Sequence, residues 1–211
     1  MTDPTEATSP DAEFVTLADG ERILVRQLLR ADRGELAQRY LQLSPVARRL
    51  RFFNAPKHLS DRLLDYLLDV DGPDRCALVA VAVDAEDSPG VGLARYVRSR
   101  EDPALAEAAV TVVEAYQQLG IATALLQRLA GEARHNGIST FTASVMWENR
   151  PLLDALRAFG AEVSPSEPGV ASVRIALPAA ADAAAPESQL RRALRVFAAR
   201  VDGMIGLRLD R

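Results

Sequence analysis

The sequence predicts a mixed α/β domain of the α+β kind, and three observations carry that prediction. Helix-periodic segments crowd the first third of the chain, apolar β-branched runs dominate from residue 76 onward, and two of those later runs are each followed by a helix and a further run. Helices first, then hairpin, strand, helix, strand, helix and strand is the order of a mixed-sheet domain. Each strand–helix–strand passage implies some parallel pairing, with the connecting loops gathered at one end of the sheet. A length of 211 residues suits one domain, and 48% apolar residues supply a core without disulfides or metals.

Residues 1–13 are acidic and rich in Ser, Thr and Pro, and read as a disordered leader with neither the basic start nor the apolar stretch of a signal peptide. Residues 14–16 and 23–26 read as strands joined by a hairpin turn at Asp19-Gly20. Between 32 and 43, Leu36, Tyr40 and Leu43 recur at helical spacing, and Ser44-Pro45 opens a further helical stretch with the proline at a permitted early position. Ser60 caps a third helix whose inner face is Leu63, Leu64, Leu67 and Leu68. Asp71-Gly72-Pro73 breaks the chain. Beyond it, 76–83 and 90–98 form a hairpin of buried strands, 106–113 a third strand, and 120–136 a helix stopped by Gly137. A strand at 139–146, a helix at 149–159 and a strand at 170–177 complete a domain spanning 14–178. The Ala/Pro run at 178–186 is a linker. Leu190, Leu194 and Phe197 share one face of a helix at 187–201, so 179–211 reads as linker and helical tail.

Charge and composition exclude several classes. A net charge of −4 argues against general affinity for nucleic acid or anionic membrane, and no apolar run approaches the ~20 residues that span a bilayer. The only cysteine, Cys76, sits in an apolar run and reads as a small buried hydrophobe. One cysteine makes no internal disulfide, which fits a reducing cytoplasm. His58 and His135 lack partners at ligand spacing, so no metal site is expected. Gly90-Val-Gly-Leu-Ala-Arg95 begins like a dinucleotide fingerprint, but strand residues follow and Arg95 takes the third glycine's place. In Arg48-Arg49-Leu50-Arg51-Phe52-Phe53 the arginines read as solvated beside a core Phe pair.

The informative stretch is 110–126. A β-branched strand runs into a polar turn, then Gly120, then a long helix. A glycine there leaves consecutive N–H groups bare, and with the ~+0.5 charge of a helix N-terminus they make an anion site that needs no lysine. Gln117-Gln118-Leu119-Gly120-Ile121-Ala122 resembles the Gln/Arg-x-x-Gly-x-Gly/Ala signature of the GCN5-related N-acetyltransferases (GNAT). Asn149, then Leu152, Leu153 and Leu156, closed by Phe159-Gly160, is similar to that family's second motif. Val15-Thr-Leu-Ala-Asp-Gly20, Leu43-Ser-Pro45 and Leu50-Arg-Phe-Phe53 resemble the branch of bacterial protein-lysine acetyltransferases. The turn departs from the family pattern, which often has Gly at 118 and a basic residue at 119. The second motif departs at 161, where an aromatic is frequent.

The resemblance implies the GNAT fold: a mostly antiparallel sheet splayed between its two central parallel strands, with helices on both faces. It implies acyl-CoA, most simply acetyl-CoA, as co-substrate and an amine acceptor, either a protein lysine or a small molecule. Val110 and Thr111 would contact pantetheine through main chain. Gln117, Gln118, Leu119, Gly120, Ile121, Ala122 and Thr123 would form the pyrophosphate turn, and Asn149 would bind the pantetheine arm. Arg157 either reaches a CoA phosphate or is a solvated surface arginine. In that branch a glutamate on the strand is the general base, and Glu107 matches its position; Glu114, in the turn, is the fallback. Glu107 is flanked by small apolar residues, where an acid without a purpose is expensive. Relatives often have an acidic tyrosine where Leu156 stands, which leaves open a second reading, a CoA-binding sensor that has lost catalysis. Trp147 either walls the CoA channel or is a plain core aromatic. The tail helix covers its own sheet edge, folds over the acceptor groove, or forms a homodimer.

Overall fold

The structure is a computed structural model that describes residues 12–177 except 18, 46, 47, 50–55, 71 and 159. Most of the acidic leader, the linker and tail helix with Leu190, Leu194 and Phe197, the segment Leu50-Arg-Phe-Phe53, and Phe159 lie outside the described residues. Eight strands form one sheet in the order β1-β2-β3-β4-β5-β6-β8-β7. The strands are β1 (Glu13–Thr16), β2 (Arg22–Gln27), β3 (Arg75–Ala82), β4 (Gly90–Arg98), β5 (Leu105–Val112), β6 (Thr140–Met146), β7 (Glu162–Pro165) and β8 (Val170–Ala176). Among the described residues, four α-helices accompany them: α1 (Arg33–Gln42), α2 (Asp61–Leu68), α3 (Ile121–His135) and α4 (Arg150–Ala158).

Each helix forms where the sequence provides an apolar stripe and a stop. Ser60 caps α2 by accepting from the Leu63 N–H (3.3 Å), and Leu63, Leu64, Leu67 and Leu68 are buried. Arg48 N–H reaches the Ser44 carbonyl (2.9 Å), one helical turn after Pro45 has entered. Gly137, at φ 78°, ends α3.

Alternation along β5 sorts the helices onto two faces. Ala106, Ala108, Val110 and Val112 join the larger core cluster with Leu125 and Leu129 of α3 and Leu152 and Leu156 of α4. Ala109 points the other way, into a smaller cluster with Tyr40 of α1 and Leu63, Leu64 and Leu67 of α2.

Among the described residues only β5 and β6 pair in parallel, and the other pairs are antiparallel. The passage through α3 therefore gives the expected parallel neighbour. The passage through α4 does not, because it delivers the chain to β7 at the sheet edge and β8 then turns back between β7 and β6. β7 was not expected from the sequence. Its four residues, Glu-Val-Ser-Pro, carry little β propensity, and their signal was the Pro168-Gly169 turn that follows, with Gly169 at φ 82°.

The parallel ladder is short. β5 pairs with β6 only at Leu105↔Thr140, Ala106↔Phe141 and Glu107↔Thr142. β5 stays paired with β4 as far as Val112, and β6 with β8 as far as Met146. The two strands thus part after Glu107, and the sheet opens into a V between them.

Candidate active site

Backbone parity decides what faces the opening. The Ala104 carbonyl accepts from the N–H groups of Ser139 (2.9 Å) and Thr140 (3.1 Å), on the β6 side, while the Val113 N–H donates to Val91 (2.9 Å), on the β4 side. Strand residues alternate, so the even-numbered residues of β5 turn their N–H and C=O toward β6. Val110 and Val112 lie on that edge beyond the last rung. Thr111 pairs with Leu93 of β4, so its main chain faces away from the gap, and its side chain lines a cavity on the α1 face together with Glu35, Tyr40 and Leu93.

At the wide end of the V the chain makes a compact turn. A 3₁₀ turn, Glu114–Tyr116, leads to Gln117, whose side-chain Nε2 donates to the Val112 carbonyl at 3.1 Å and ties the loop to the end of β5. Gln118 adopts φ 64°, a left-handed conformation that suits glycine, the residue the family often has there. Gly120 follows at φ 94° and turns the backbone into α3. The first backbone hydrogen bond of that helix joins the Ala124 N–H to the Gly120 carbonyl (3.0 Å). No acid stands in the first turn of α3, at the helix start where the sequence leads one to expect an anion site. A small pocket here is lined by Val112, Tyr116, Gln117, Gln118, Gly120, Ile121 and Ala122. Thr123 begins the exit into the helix body. Glu114 accepts from the Ser44 N–H (3.3 Å), an exposed tie between the turn and the end of α1.

The second half of the V contributes the loop after β6. Asn149 opens α4, its carbonyl accepting from the Leu153 N–H (3.1 Å). Leu156 is buried in the larger core cluster, and Trp147 packs partly buried against the same cluster. Arg157 lies on the exposed side of α4, with Nη1 3.1 Å from Asp154 and its guanidinium 5.8 Å from the Trp147 ring centroid. It is not part of the turn that bears Gly120. Gly160, at φ 82°, ends α4.

Glu107 occupies the last rung, half-buried, on the α1–α2 face of β5. Across the sheet its row continues through Thr142 of β6 and Arg174 of β8. Diagonally across from it on β4 stands a group the sequence reading passed over as a broken motif. Arg95 pairs with Ala109, two residues along from Glu107, and is fully buried, with 0% exposure. Its guanidinium lies 4.2 Å from the Tyr66 ring centroid, and none of its three side-chain nitrogens has a hydrogen-bond partner. Burial lowers its pKa to about 10. A charged residue inside Val91-Gly-Leu-Ala-Arg-Tyr-Val97 was the available signal.

Among the described residues no cluster of three or more His, Cys, Asp or Glu could hold a metal, and no helix is long and apolar enough to cross a membrane. Burial pushes the Cys76 thiol up to about 12, as an unreactive core residue requires.

The sheet thus parts after Glu107 of β5, beside the turn that leads into α3. The chain belongs to the acetyltransferase (GNAT) family, whose model matches residues 38–161. It is 34% identical over 154 residues to Acetyltransferase PA5475 of Pseudomonas aeruginosa, covering 73% of this chain and 82% of that protein. Acetyltransferase Pat of Mycolicibacterium smegmatis is 30% identical over 128 residues, 61% of this chain but 38% of the longer relative. Among solved structures, the GNAT domain of S. lividans PAT superposes with a TM-score of 0.71 at 28% identity, covering 81% of this chain and 100% of that domain.

Proposed function

We propose that this protein is an acetyl-CoA-dependent N-acetyltransferase acting on a primary amine, with a protein lysine as the first acceptor to test, by direct attack in a ternary complex. One observation carries the reading: the β5–β6 ladder stops at Glu107, on the same strand that runs into the turn opening α3, whose first turn holds no acid. The main-chain edge of Val110 and Val112 gives a pantetheine arm amide partners. The turn from Leu119 to Thr123 is the proposed source of N–H donors for its diphosphate, and Asn149, which opens α4 beyond β6, is the proposed side-chain partner of the arm. Arg157 stands as an outer cation for a CoA phosphate. Leu119, where relatives often have a basic residue, withholds one charge, so the turn binds through main chain.

Chemistry follows from the acceptor. A lysine of pKa ~10.4 is neutral in about one molecule per thousand near pH 7.4, a handicap of ~4 kcal/mol. Glu107, at the root of the opening, is the group to take that proton, directly or through water, as the amine nitrogen attacks the thioester carbonyl. A main-chain N–H on the β5 edge polarises that carbonyl. Leu156 supplies no proton to the departing thiolate, and a thiol of pKa ~8.5 needs little help.

Glu107→Gln tests the assignment. Thiol-release kinetics on an amine panel should show kcat at least ~100-fold lower at neutral pH, with acetyl-CoA affinity by calorimetry unchanged. An unchanged rate removes Glu107 from the chemistry. Wild-type binding of acetyl-CoA without turnover on any amine would establish a sensor instead.

A further inference from the structure

We propose that Arg95 is a positioning residue for the proton transfer, the fixed counter-charge that keeps Glu107 ionised on the acceptor face of β5. This inference rests on the reading of Glu107 as general base, and it reaches a residue that touches neither substrate. The geometry comes from the β4–β5 register. Arg95 opposes Ala109 and Val97 opposes Glu107, so Arg95 and Glu107 are diagonal neighbours on one face. Such pairs have Cβ atoms about 7–8 Å apart, within reach of long side chains.

Burial makes the pairing consequential. A guanidinium with five N–H donors normally reaches the interior only when carboxylates or carbonyls satisfy it. Arg95 has none of these; it lies against the Tyr66 ring, which stabilises the cation without using its N–H groups. The charged groups that act on it are few. From β3, Arg75 approaches the same ring (5.9 Å) and is paired with Asp69. From α2, Tyr66 supplies the ring and Asp65 is engaged by Arg33. From β8, Arg174 ends the Glu107 row and is bridged to Glu162 at 4.0 Å. Glu107 is the carboxylate whose charge acts on the Arg95 guanidinium. A cation held in a dry site beside a base stabilises the ionised carboxylate and so lowers the pH at which the base becomes competent.

The test uses the full chain and two substitutions. Arg95→Met keeps the length and removes the charge; Arg95→Lys keeps the charge. In Arg95→Met the acid limb of the kcat/KM profile should move to higher pH by about one unit, with the alkaline plateau retained, since removing a diagonal charge lets Glu107 bind its proton more tightly. Arg95→Lys should leave the limb within a few tenths of a unit. A carboxyl titration of Glu107 by NMR, on protein labelled with ¹³C-glutamate, should move in parallel. A rate lowered equally at every pH, or a Glu107 titration that is the same in folded Arg95→Met, overturns the proposal. Should Arg95→Met not fold, Glu107→Gln reads the coupling from the other side. Stranding a buried cation should lower Tm by about 5 °C, and an unchanged Tm overturns the pairing. If Glu107→Gln keeps its full rate, the base assignment fails on its own, while the titration and the Tm still decide whether the two charges are coupled.

Discussion

At the residue scale, the structure separates side chains the sequence made legible from those it hid. Cys76 was legible, because a lone cysteine in an apolar run belongs in a core. Burial holds its thiol near pKa 12, well above the ordinary 9.0, and raises Tyr96 from 10.0 to about 12. Two predictions in the same direction follow. A thiol of pKa about 12 is ionised in about one molecule per ten thousand at pH 8, so a disulfide reagent should label Cys76 only after denaturant unfolds the chain; fast native labelling would show an open site. Both acids keep their protons in the fold to higher pH than in the unfolded chain. Their contribution to stability is therefore intact below pH 9 and is lost as pH climbs from 9 toward 12, which denaturant melts across that window should report. Arg95 was not legible. Its role depends on which β5 residue stands diagonally opposite, and register is fixed by pairing, not by local sequence. Gln118 was legible only as a departure from a pattern. The structure gives the departure its cost, a left-handed φ of 64° in a residue with a Cβ.

At the scale of elements, the hairpins, the leucine-faced helix α2 and the long helix α3 follow directly from turn residues and apolar spacing. β7 escaped because Glu-Val-Ser-Pro, with one β-branched residue among an acid, a serine and a proline, becomes a strand only when β8 offers it an edge. The seating of α3 depends on a glycine whose reason lies in the fold. A Cβ on Gly92 of β4 would come within 2.9 Å of Ile121 Cγ2 and of Leu125 Cδ1, both on α3. Ile121 is the first residue of that helix, so Gly92 sets how closely its N-terminal end approaches the sheet. Gly92→Ala should lower stability by about 1–3 kcal/mol through overpacking and weaken acetyl-CoA binding in calorimetry more than a core substitution of equal cost at the far end of α3. Equal weakening by both would mean that the helix start is not the anchor.

At the scale of the whole molecule, the sheet is two blocks: β1 to β5, and β6, β8 and β7, joined by three parallel rungs. The mixed order of helices and strands announced a mixed sheet, and Gly120 announced the turn into α3. The length of the shared ladder had no sequence signature, because nothing in 105–112 marks where pairing ends. Hydrogen exchange reads the site at this scale. Acetyl-CoA should slow exchange at Val110, Val112 and residues 119–123 and leave β1 and β2 unchanged; protection elsewhere without protection there would displace the site.

The closed end of the V has its own fastening. The Arg98 guanidinium donates to the carbonyls of Asn136 (2.5 Å) and Pro103 (2.5 Å) and meets Asp74 at 2.7 Å, while the Asn136 amide reaches the Tyr96 hydroxyl (3.0 Å). A wedge riveted at its apex admits guests by depth alone. Its walls are held along their length by β4 on one side and β8 on the other, so on the proposed function a bulkier acyl tip should stop short of the apex, with its carbonyl farther from Glu107. Under the proposed function, kcat/KM should therefore fall as the acyl chain of the donor lengthens, and equal values for acetyl and longer acyl donors would show that three rungs and an arginine do not set the reach.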